Sequence, residues 1–315
     1  MGEGPSPMRG LLPFLGQRFF RALIALWLVS TVVFVVMRLS GDPVPLLLPP
    51  DAPRSEMERL RRELGLDRSI PVQYAVFLRN TLRLDFGRSL HFREPAFTVV
   101  RGYIAATLEL GLTAFFLAVL VAVPIGLLSA MRRNSVLDHT AMGLALIGQS
   151  APTFFIGILF ILLLALKADL FPTSGRGGWL HLVLPALTLG AFTMASIARL
   201  TRSAVLEVLR ADYIRTARAK GLGEAVVVAK HTLKNAAIPI LTITALQFGT
   251  LLGGAVVTET VFSWPGIGRL AVQSINNRDY PVVQCTVFLA AVMFIVVNFA
   301  VDLLYGFLDP RARAG

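Results

Sequence analysis

The stretch Tyr213–Pro239, YIRTARAKGLGEAVVVAKHTLKNAAIP, is the most basic compact segment of a strongly hydrophobic chain, and it lies between two long apolar runs. It is therefore predicted to be a loop on one side of a membrane. Its composition predicts a helix over Glu207–Ala219, a turn at Gly221 and a second helix over Glu224–Leu233. We interpret it as a structured docking element, in which small alanines beside the turn allow a partner to approach closely. Its cations are Arg215, Arg218, Lys220, Lys230 and Lys234.

The composition of the whole chain is typical of an integral membrane protein. Of 315 residues, 55% are hydrophobic and only 16% are charged, whereas a soluble domain carries about 25% charged residues. The net charge of +11 is best explained by basic loops that stay on the cytoplasmic side of the membrane. The single cysteine, Cys285, excludes an intramolecular disulfide and any cysteine metal cluster.

Six apolar regions are long enough to span a bilayer, which needs roughly 20 residues. They are about 20–37, 104–129, 140–166, 182–198, 235–258 and 282–304, of which the fourth is the shortest. The first has no small-residue cleavage site after it, so we interpret it as an uncleaved span. Pro152 lies inside the third region, where a proline usually kinks a membrane helix. The sequence therefore predicts an all-α integral membrane protein with six transmembrane helices.

The distribution of lysine and arginine predicts the orientation of these spans. With six spans, the basic N-terminal tail, the loop with Arg132 and Arg133, the basic loop 206–234 and the C-terminal tail 309–315 share one side. The positive-inside rule makes that side cytoplasmic, so both termini are predicted to be in the cytoplasm. The domains are then 1–103 (tail, first span and a large extracytoplasmic segment), the transmembrane domain 104–308, and the tail 309–315.

The extracytoplasmic segment between the first two spans has an organisation of its own. Ser55–Gly65 is predicted to be a short amphipathic helix that ends on glycine, and Val72–Leu82 a second helix that follows Pro71. The segment is either a cap that meets a delivery protein outside the cell or a solvated loop domain.

Polar side chains inside the spans are candidates for a translocation path, because they are costly in a bilayer. The alternative for each is hydrogen bonding between helices. Glu109 is one such residue, and Asn298 and Asp302 are four apart and so share a helix face. The candidates for the path are Gln149, Gln247, Asn298 and Asp302.

The sequence contains no catalytic or nucleotide-binding pattern. Its four histidines are scattered over loops, and it lacks the H-E-x-x-H, G-x-S-x-G and P-loop motifs. We therefore expect no catalytic residue, no metal site and no cofactor of its own. An energy-driven transporter with this sequence would need an ATPase from another chain.

The segment Arg215-Thr-Ala-Arg-Ala-Lys-Gly221 resembles the Glu-Ala-Ala (EAA) coupling loop of ABC importer permeases, in the variant found in the dipeptide/oligopeptide/nickel family. Arg215, Thr216 and Ala217 stand where that loop has its triplet, and Gly221 stands at its glycine. Six further blocks resemble the B-type subunit of peptide permeases, so the resemblance covers essentially the whole chain. They are Gly65–Arg68, Asp85–Ser89, Ser150–Phe155, Glu259–Arg269, Arg278–Pro281 and Asp309–Arg313.

This resemblance implies a type I ABC importer fold and a permease subunit for a peptide-like solute. The ATPase-coupling loop would comprise Arg215, Thr216, Ala217, Arg218, Ala219, Lys220 and Gly221. Implied partners are a second, non-identical permease subunit, two ABC ATPases that bind ATP and Mg, an extracytoplasmic solute-binding protein and membrane lipid, but no nucleic acid. The implied location is the plasma (inner) membrane of a bacterium or archaeon.

A stand-alone ion-coupled secondary transporter is the alternative function. Against it, the spans show no paired acids near their middle and no clear inverted repeat. An intramembrane enzyme would need a nucleophile–base pair that the sequence lacks, and a channel or scaffold would leave the basic loop unexplained. The solute itself is open: dipeptides, oligopeptides, glutathione-like peptides, nickel chelates and opines are all carried by similar systems.

Overall fold

The structure is a computed structural model that describes residues 11–39, 41, 44–48, 52–63 and 65–308. The described chain is helical apart from turns and one antiparallel bridge between Arg88 and Pro95. Two π-helical segments, Ile161–Lys167 and Val227–Thr232, extend α7 and α10. The helices are α1 (Leu11–Leu39), α2 (Val44–Leu47), α3 (Arg54–Glu63), α4 (Ile70–Leu82), α5 (Ala96–Met131), α6 (Val136–Ser150), α7 (Thr153–Phe160), α8 (Leu180–Leu209), α9 (Asp212–Ala219), α10 (Glu224–Val226), α11 (Leu233–Val261), α12 (Ile267–Asn276) and α13 (Tyr280–Leu308).

Five helices in the described ranges are long and apolar enough to cross a membrane, and a sixth span results if α6 and the helix after it count as one. The prediction of a multi-span, all-α protein is thus confirmed, while the count of six stays a prediction. The fourth predicted span, 182–198, lies within α8, which has 30 residues. The five are Gly16–Leu39, Ala96–Met131, Leu180–Leu209, Glu224–Leu251 and Tyr280–Val301.

The third predicted span, 140–166, is a pair of helices and not one kinked helix. The axes of Val136–Ser150 and Thr153–Lys167 differ by 114°. Ala151 is extended, with φ −76° and ψ 136°, because a following proline disfavours the helical conformation of the residue before it. Pro152 then begins the next helix, so this proline ends one helix and starts another.

The described residues form two compact units, and the first draws on Met1–Ala105 and Gly266–Val296. Both predicted short helices are confirmed: α3 ends just before Gly65, whose φ is +66°, and Pro71 lies in the first turn of α4. The ring of Phe34 on α1 packs against Tyr74 and Phe77 of α4. The buried core of this unit comprises Phe86, Ala96, Val99, Val100, Ile267, Leu270, Val282, Cys285 and Leu289.

The second unit draws on Ala106–Pro265 and Val297–Gly315, and α8 is its central helix. This helix packs against α6, α7 and α11 and also against α5, where small residues allow close approach. A Cβ on Gly126 would lie 2.6 Å from the carbonyl oxygen of Ala198, and one on Gly190 would lie 3.0 Å from that of Ala114. Such contacts between small residues are typical of helices packed in membranes.

Candidate functional site

The basic loop folds into a helix–turn–helix, residues 210–232, which we call the elbow. It joins α8 to α11 through α9, a turn at Gly221 and the helical segment that begins at Glu224. Gly221 has φ +79°, a conformation that glycine adopts without steric cost, so the predicted turn is confirmed. The predicted continuous helix over Glu207–Ala219 is wrong, because the chain is extended at Ala211 (φ −69°, ψ 145°) between α8 and α9.

The elbow has a small hydrophobic core of its own. Ile214 and Ala217 lie three residues apart on one face of α9 and pack against the fully buried Val227, with Val208 at the edge. We expected the small side chains of Ala217 and Ala219 to permit close approach of a partner. Ala217 is only 6% exposed, so its small size serves the packing of the elbow, and Ala219 alone of the two is exposed.

Two exposed ion pairs lie on the elbow, and one of them spans the turn. Arg218 donates from Nε and Nη2 to the two carboxylate oxygens of Glu224, at 2.7 and 3.2 Å, which links α9 to α10 across Gly221. Arg215 lies 3.6 Å from Asp212 on the same helix. All four side chains are more than 40% exposed, so each pair stabilises the elbow by at most about 1 kcal/mol. Of the two, the Arg218–Glu224 pair is the one that connects α9 to α10.

The outward face of the elbow combines cations with exposed apolar side chains. Tyr213, Leu222 and Val226 are 46%, 39% and 45% exposed, and Arg215 and Lys220 are exposed beside them. We call these five residues the elbow surface. Exposed apolar groups bordered by polar or charged side chains are a feature of protein interaction sites.

Close to the elbow, a buried ionic cluster ties α8 to α5 and α6. Arg202 donates from Nε and Nη2 to the two carboxylate oxygens of Asp138, both at 2.7 Å. Asp138 is 2% exposed, and it also accepts hydrogen bonds from Ser129 Oγ and from the backbone N–H of Asn134. The cluster is not evident from the sequence, although the capping serine Ser135 three residues before Asp138 marks a helix start.

A second polar group lies near the other end of α5. Thr107 Oγ1 donates to Glu259 at 2.6 Å, and the indole N–H of the buried Trp264 donates to the carbonyl of Ala106 at 2.8 Å. Glu109, which we expected to face either a path or another helix, pairs with Arg176 at 2.5 Å. The bonds of Glu259 and Trp264 connect the end of α11 and the turn after it to α5.

Two of the four predicted path residues, Gln149 and Asn298, contact a neighbouring helix. Gln149 donates to Ser196 at 3.3 Å and accepts from Arg199, both on α8, and Asn298 packs against Gly249 of α11. Gln247 contacts only its own helix in the bonds found. The side chain of Asp302 lies outside the described residues, as do residues 309–315. Bonding between helices thus accounts for Gln149, and a role of these residues in a path stays a prediction.

No group of three or more His, Cys, Asp or Glu side chains that could hold a metal occurs in the described part of the chain.

Comparison with protein families gives two matches. A family described as "Binding-protein-dependent transport system inner membrane component" matches residues 122–314. Its N-terminal counterpart, "Binding-prot-dependent transport system membrane comp, N-term", matches residues 11–103. Together they account for both the elbow and the segment that precedes α5.

Comparison with individual proteins gives relatives over nearly the full length. The chain is 41% identical over 304 residues to "Glutathione transport system permease protein GsiC" of Escherichia coli strain K12, which covers 96% of this chain and 99% of that one. The protein of the same name from Salmonella typhi matches equally well.

Among solved structures, the inward-facing MetNI methionine ABC transporter is similar to this chain, with TM-scores of 0.54 and 0.56 in two crystal forms. The match covers 67% of this chain and 96% of the MetNI chain. An amino acid ABC transporter with histidines matches with a TM-score of 0.53. At 18–21% identity these likenesses concern the fold alone.

Proposed function

Because the chain belongs to the family of binding-protein-dependent transport system inner membrane components, and is thus a membrane permease subunit of an ABC importer, we propose that its elbow is where a separate ATPase drives transport. The observation that carries this proposal is the elbow itself. It is self-packed through Ile214, Ala217 and Val227, it displays the elbow surface outward, and it connects α8 directly to α11.

The elbow would act as a lever between the ATPase and the spans. An ATPase that closes on ATP displaces α9, and the displacement reaches α8 and α11 through continuous backbone. This is a two-state element whose equilibrium a partner biases. In this proposal Arg215, Thr216, Ala219 and Lys220 face the ATPase, whereas Ala217, Arg218 and Gly221 maintain the shape of the elbow.

We infer a peptide-like solute, delivered by an extracytoplasmic solute-binding protein. The 41% identity to proteins named as glutathione transport permeases supports this class, since glutathione is a peptide-like solute. The other partners proposed are a second permease subunit and two ATPases. The ATPases, and not this chain, would bind ATP and Mg.

The proposed topology has six spans, with both termini in the cytoplasm and an extracytoplasmic segment before α5. The division into 1–103, 104–308 and 309–315 follows from it. A reporter active only in the cytoplasm should give a signal when fused at Ala312 and none when fused near Ser89. The reverse pattern would refute the orientation.

The function is tested by reconstituting the chain with its second permease subunit, the ATPases and the binding protein in proteoliposomes. We expect solute uptake that requires ATP. Uptake by this chain alone, driven by an ion gradient, would favour the secondary transporter instead.

The elbow is tested by Val226→Asp, which places a charge on the elbow surface without entering the elbow core. We expect loss of ATPase association and of uptake, with normal insertion into the membrane. Val136→Asp is the matched control, because Val136 is 79% exposed and lies outside the elbow. Retained ATPase association in Val226→Asp, or equal loss in both variants, would contradict the docking role.

A further inference from the structure

Two sequence blocks that the coupling role leaves unexplained meet in the first unit. Ser89, which ends the Asp85–Ser89 block, donates from Oγ to Asp279 Oδ2 at 2.5 Å across 190 residues of sequence. The same oxygen accepts from the backbone N–H of His91 at 3.1 Å. Ser89 Oγ in turn accepts from the N–H of Phe92 at 2.8 Å. The loop before α5 is thus closed around the carboxylate that precedes α13.

Asp279 is a buried carboxylate without a cation. It is 1% exposed, and none of the ion pairs found among the described residues includes it. Its second oxygen, Oδ1, is buried and has no hydrogen-bond partner in that part of the chain. A buried carboxylate with one unsatisfied oxygen is costly, because burial removes solvation that one remaining set of hydrogen bonds only partly replaces. A cation from outside the chain would remove this cost.

A polar cavity leads to this carboxylate. It has a volume of about 430 Å³, and Asp279 is the one carboxylate among the residues that line it. Three amide side chains, those of Gln273, Asn276 and Asn277, form much of the wall, and all three are exposed. Phe92, at 38% exposure, contributes an aromatic surface. The cavity thus presents a buried carboxylate, amide groups and an aromatic surface to a cation that enters it.

We propose that this cavity receives an arginine or lysine side chain of the extracytoplasmic solute-binding protein, with Asp279 as its counter-ion. The inference rests on the proposed function, which supplies the partner and places residues 84–95 and 273–280 outside the cell. A guanidinium suits the site because it can bond a carboxylate oxygen and neighbouring amide oxygens with one planar group. The closed Ser89–Asp279 loop holds the carboxylate in place before the partner arrives.

The test measures the dissociation constant between the binding protein and the assembled importer in lipid nanodiscs, at low and high salt. Asp279→Asn keeps the shape of the side chain and an acceptor for Ser89, but removes the charge. We expect at least tenfold weaker binding at low salt and a flatter dependence on salt. Glu94→Gln is the matched control: it removes an exposed carboxylate from the same loop, and binding should be unchanged.

A purely structural role for Asp279 gives a different pattern. In that case Asp279→Asn and Ser89→Ala would lower the thermal stability of the importer while the binding protein bound as tightly as before, and the proposal would be wrong. If Asp279→Asn does not assemble, a photo-crosslinking amino acid at Asn277 in the otherwise wild-type chain decides. An adduct on a binding-protein peptide with arginine or lysine supports the proposal, and its absence overturns it.

The failure of this inference can be told apart from failure of the proposed function. If the wild-type importer shows ATP-dependent uptake and the Asp279→Asn variant binds the binding protein as tightly as the wild type, only the proposed cation site is wrong. If the wild-type importer neither binds the binding protein nor imports solute, the proposed function is wrong.

Discussion

The cluster of Asp138 and Arg202 gives the sharpest quantitative test of how the end of α8 near the elbow is held. Asp138→Asn keeps the size of the side chain and removes its charge. Arg202, whose side chain is 25% exposed, then loses its counter-ion while three quarters of it stays buried. The change therefore isolates the electrostatic part of the contact.

The expected magnitude follows from burial and hydrogen bonding. Removing one partner of a buried ion pair costs about 3–5 kcal/mol, since the other charge is left uncompensated. The partial exposure of Arg202 lets water reach part of the guanidinium, so we expect the lower end, about 3 kcal/mol. Ser129→Ala removes one hydrogen bond to the same carboxylate and should cost about 1.5–3 kcal/mol.

The assay is equilibrium unfolding of the purified chain in mixed micelles, titrated with a denaturing detergent, for single and double variants. Asp138→Asn combined with Arg202→Met removes both charges, so its cost should fall short of the sum of the single variants by about 1–3 kcal/mol. Glu63→Gln is the matched control, because its pair with Arg59 is exposed and is worth at most about 1 kcal/mol.

Two results would refute this reasoning. If Asp138→Asn changed the free energy of unfolding no more than Glu63→Gln does, the cluster would behave as a surface ion pair. If the single-variant costs added without any shortfall, Asp138 and Arg202 would be energetically independent in spite of their 2.7 Å contacts.

Two further predictions concern glycines. Gly221→Val forces a branched side chain into a left-handed turn (φ +79°) at a cost of about 1–2 kcal/mol, and it should lower solute uptake per ATP hydrolysed. Gly223→Val is the control, because Gly223 has φ −64°, and it should leave that ratio unchanged. Equal ratios of uptake to ATP hydrolysis in the two variants would argue against a requirement for the shape of the turn. Gly126→Leu should reduce the yield of folded protein through overpacking, because its Cβ would lie 2.6 Å from the carbonyl oxygen of Ala198. Gly102→Leu on the same helix is the control: a Cβ there meets nothing within 4 Å, so this variant should express normally.

Features that depend on local sequence were predictable. The length of an apolar run and the charge of the loops beside it are local properties, so the membrane class, α3, α4 and the glycine turn at Gly221 were all expected correctly. The break at Pro152 was underestimated, because the sequence shows where a helix is weakened and not how far its two halves diverge. The 114° angle depends on what each half packs against.

Features that join distant residues were not predictable. Asp138 and Arg202 are 64 residues apart and Ser89 and Asp279 are 190 apart, and nothing in one sequence pairs them. The burial of Ala217 was open to prediction, since Ile214 and Ala217 lie three apart on one face of a short helix. From the sequence alone, however, the pairing of Ala217 with Val227 is hidden, because Val227 follows only after the turn.

The arrangement of the elbow explains how a partner without covalent connection to the spans could move them. A push on α9 would be lost if the turn yielded, but the core of Ile214, Ala217 and Val227 and the bridge from Arg218 to Glu224 make α9 and α10 one body. In the proposed mechanism α8 would carry that motion inward, and it lies in close contact with α5 at Gly126. In the proposed mechanism the rigidity that transmits force comes mainly from the buried core of Ile214, Ala217 and Val227, so substitutions there should alter coupling without removing an exposed contact.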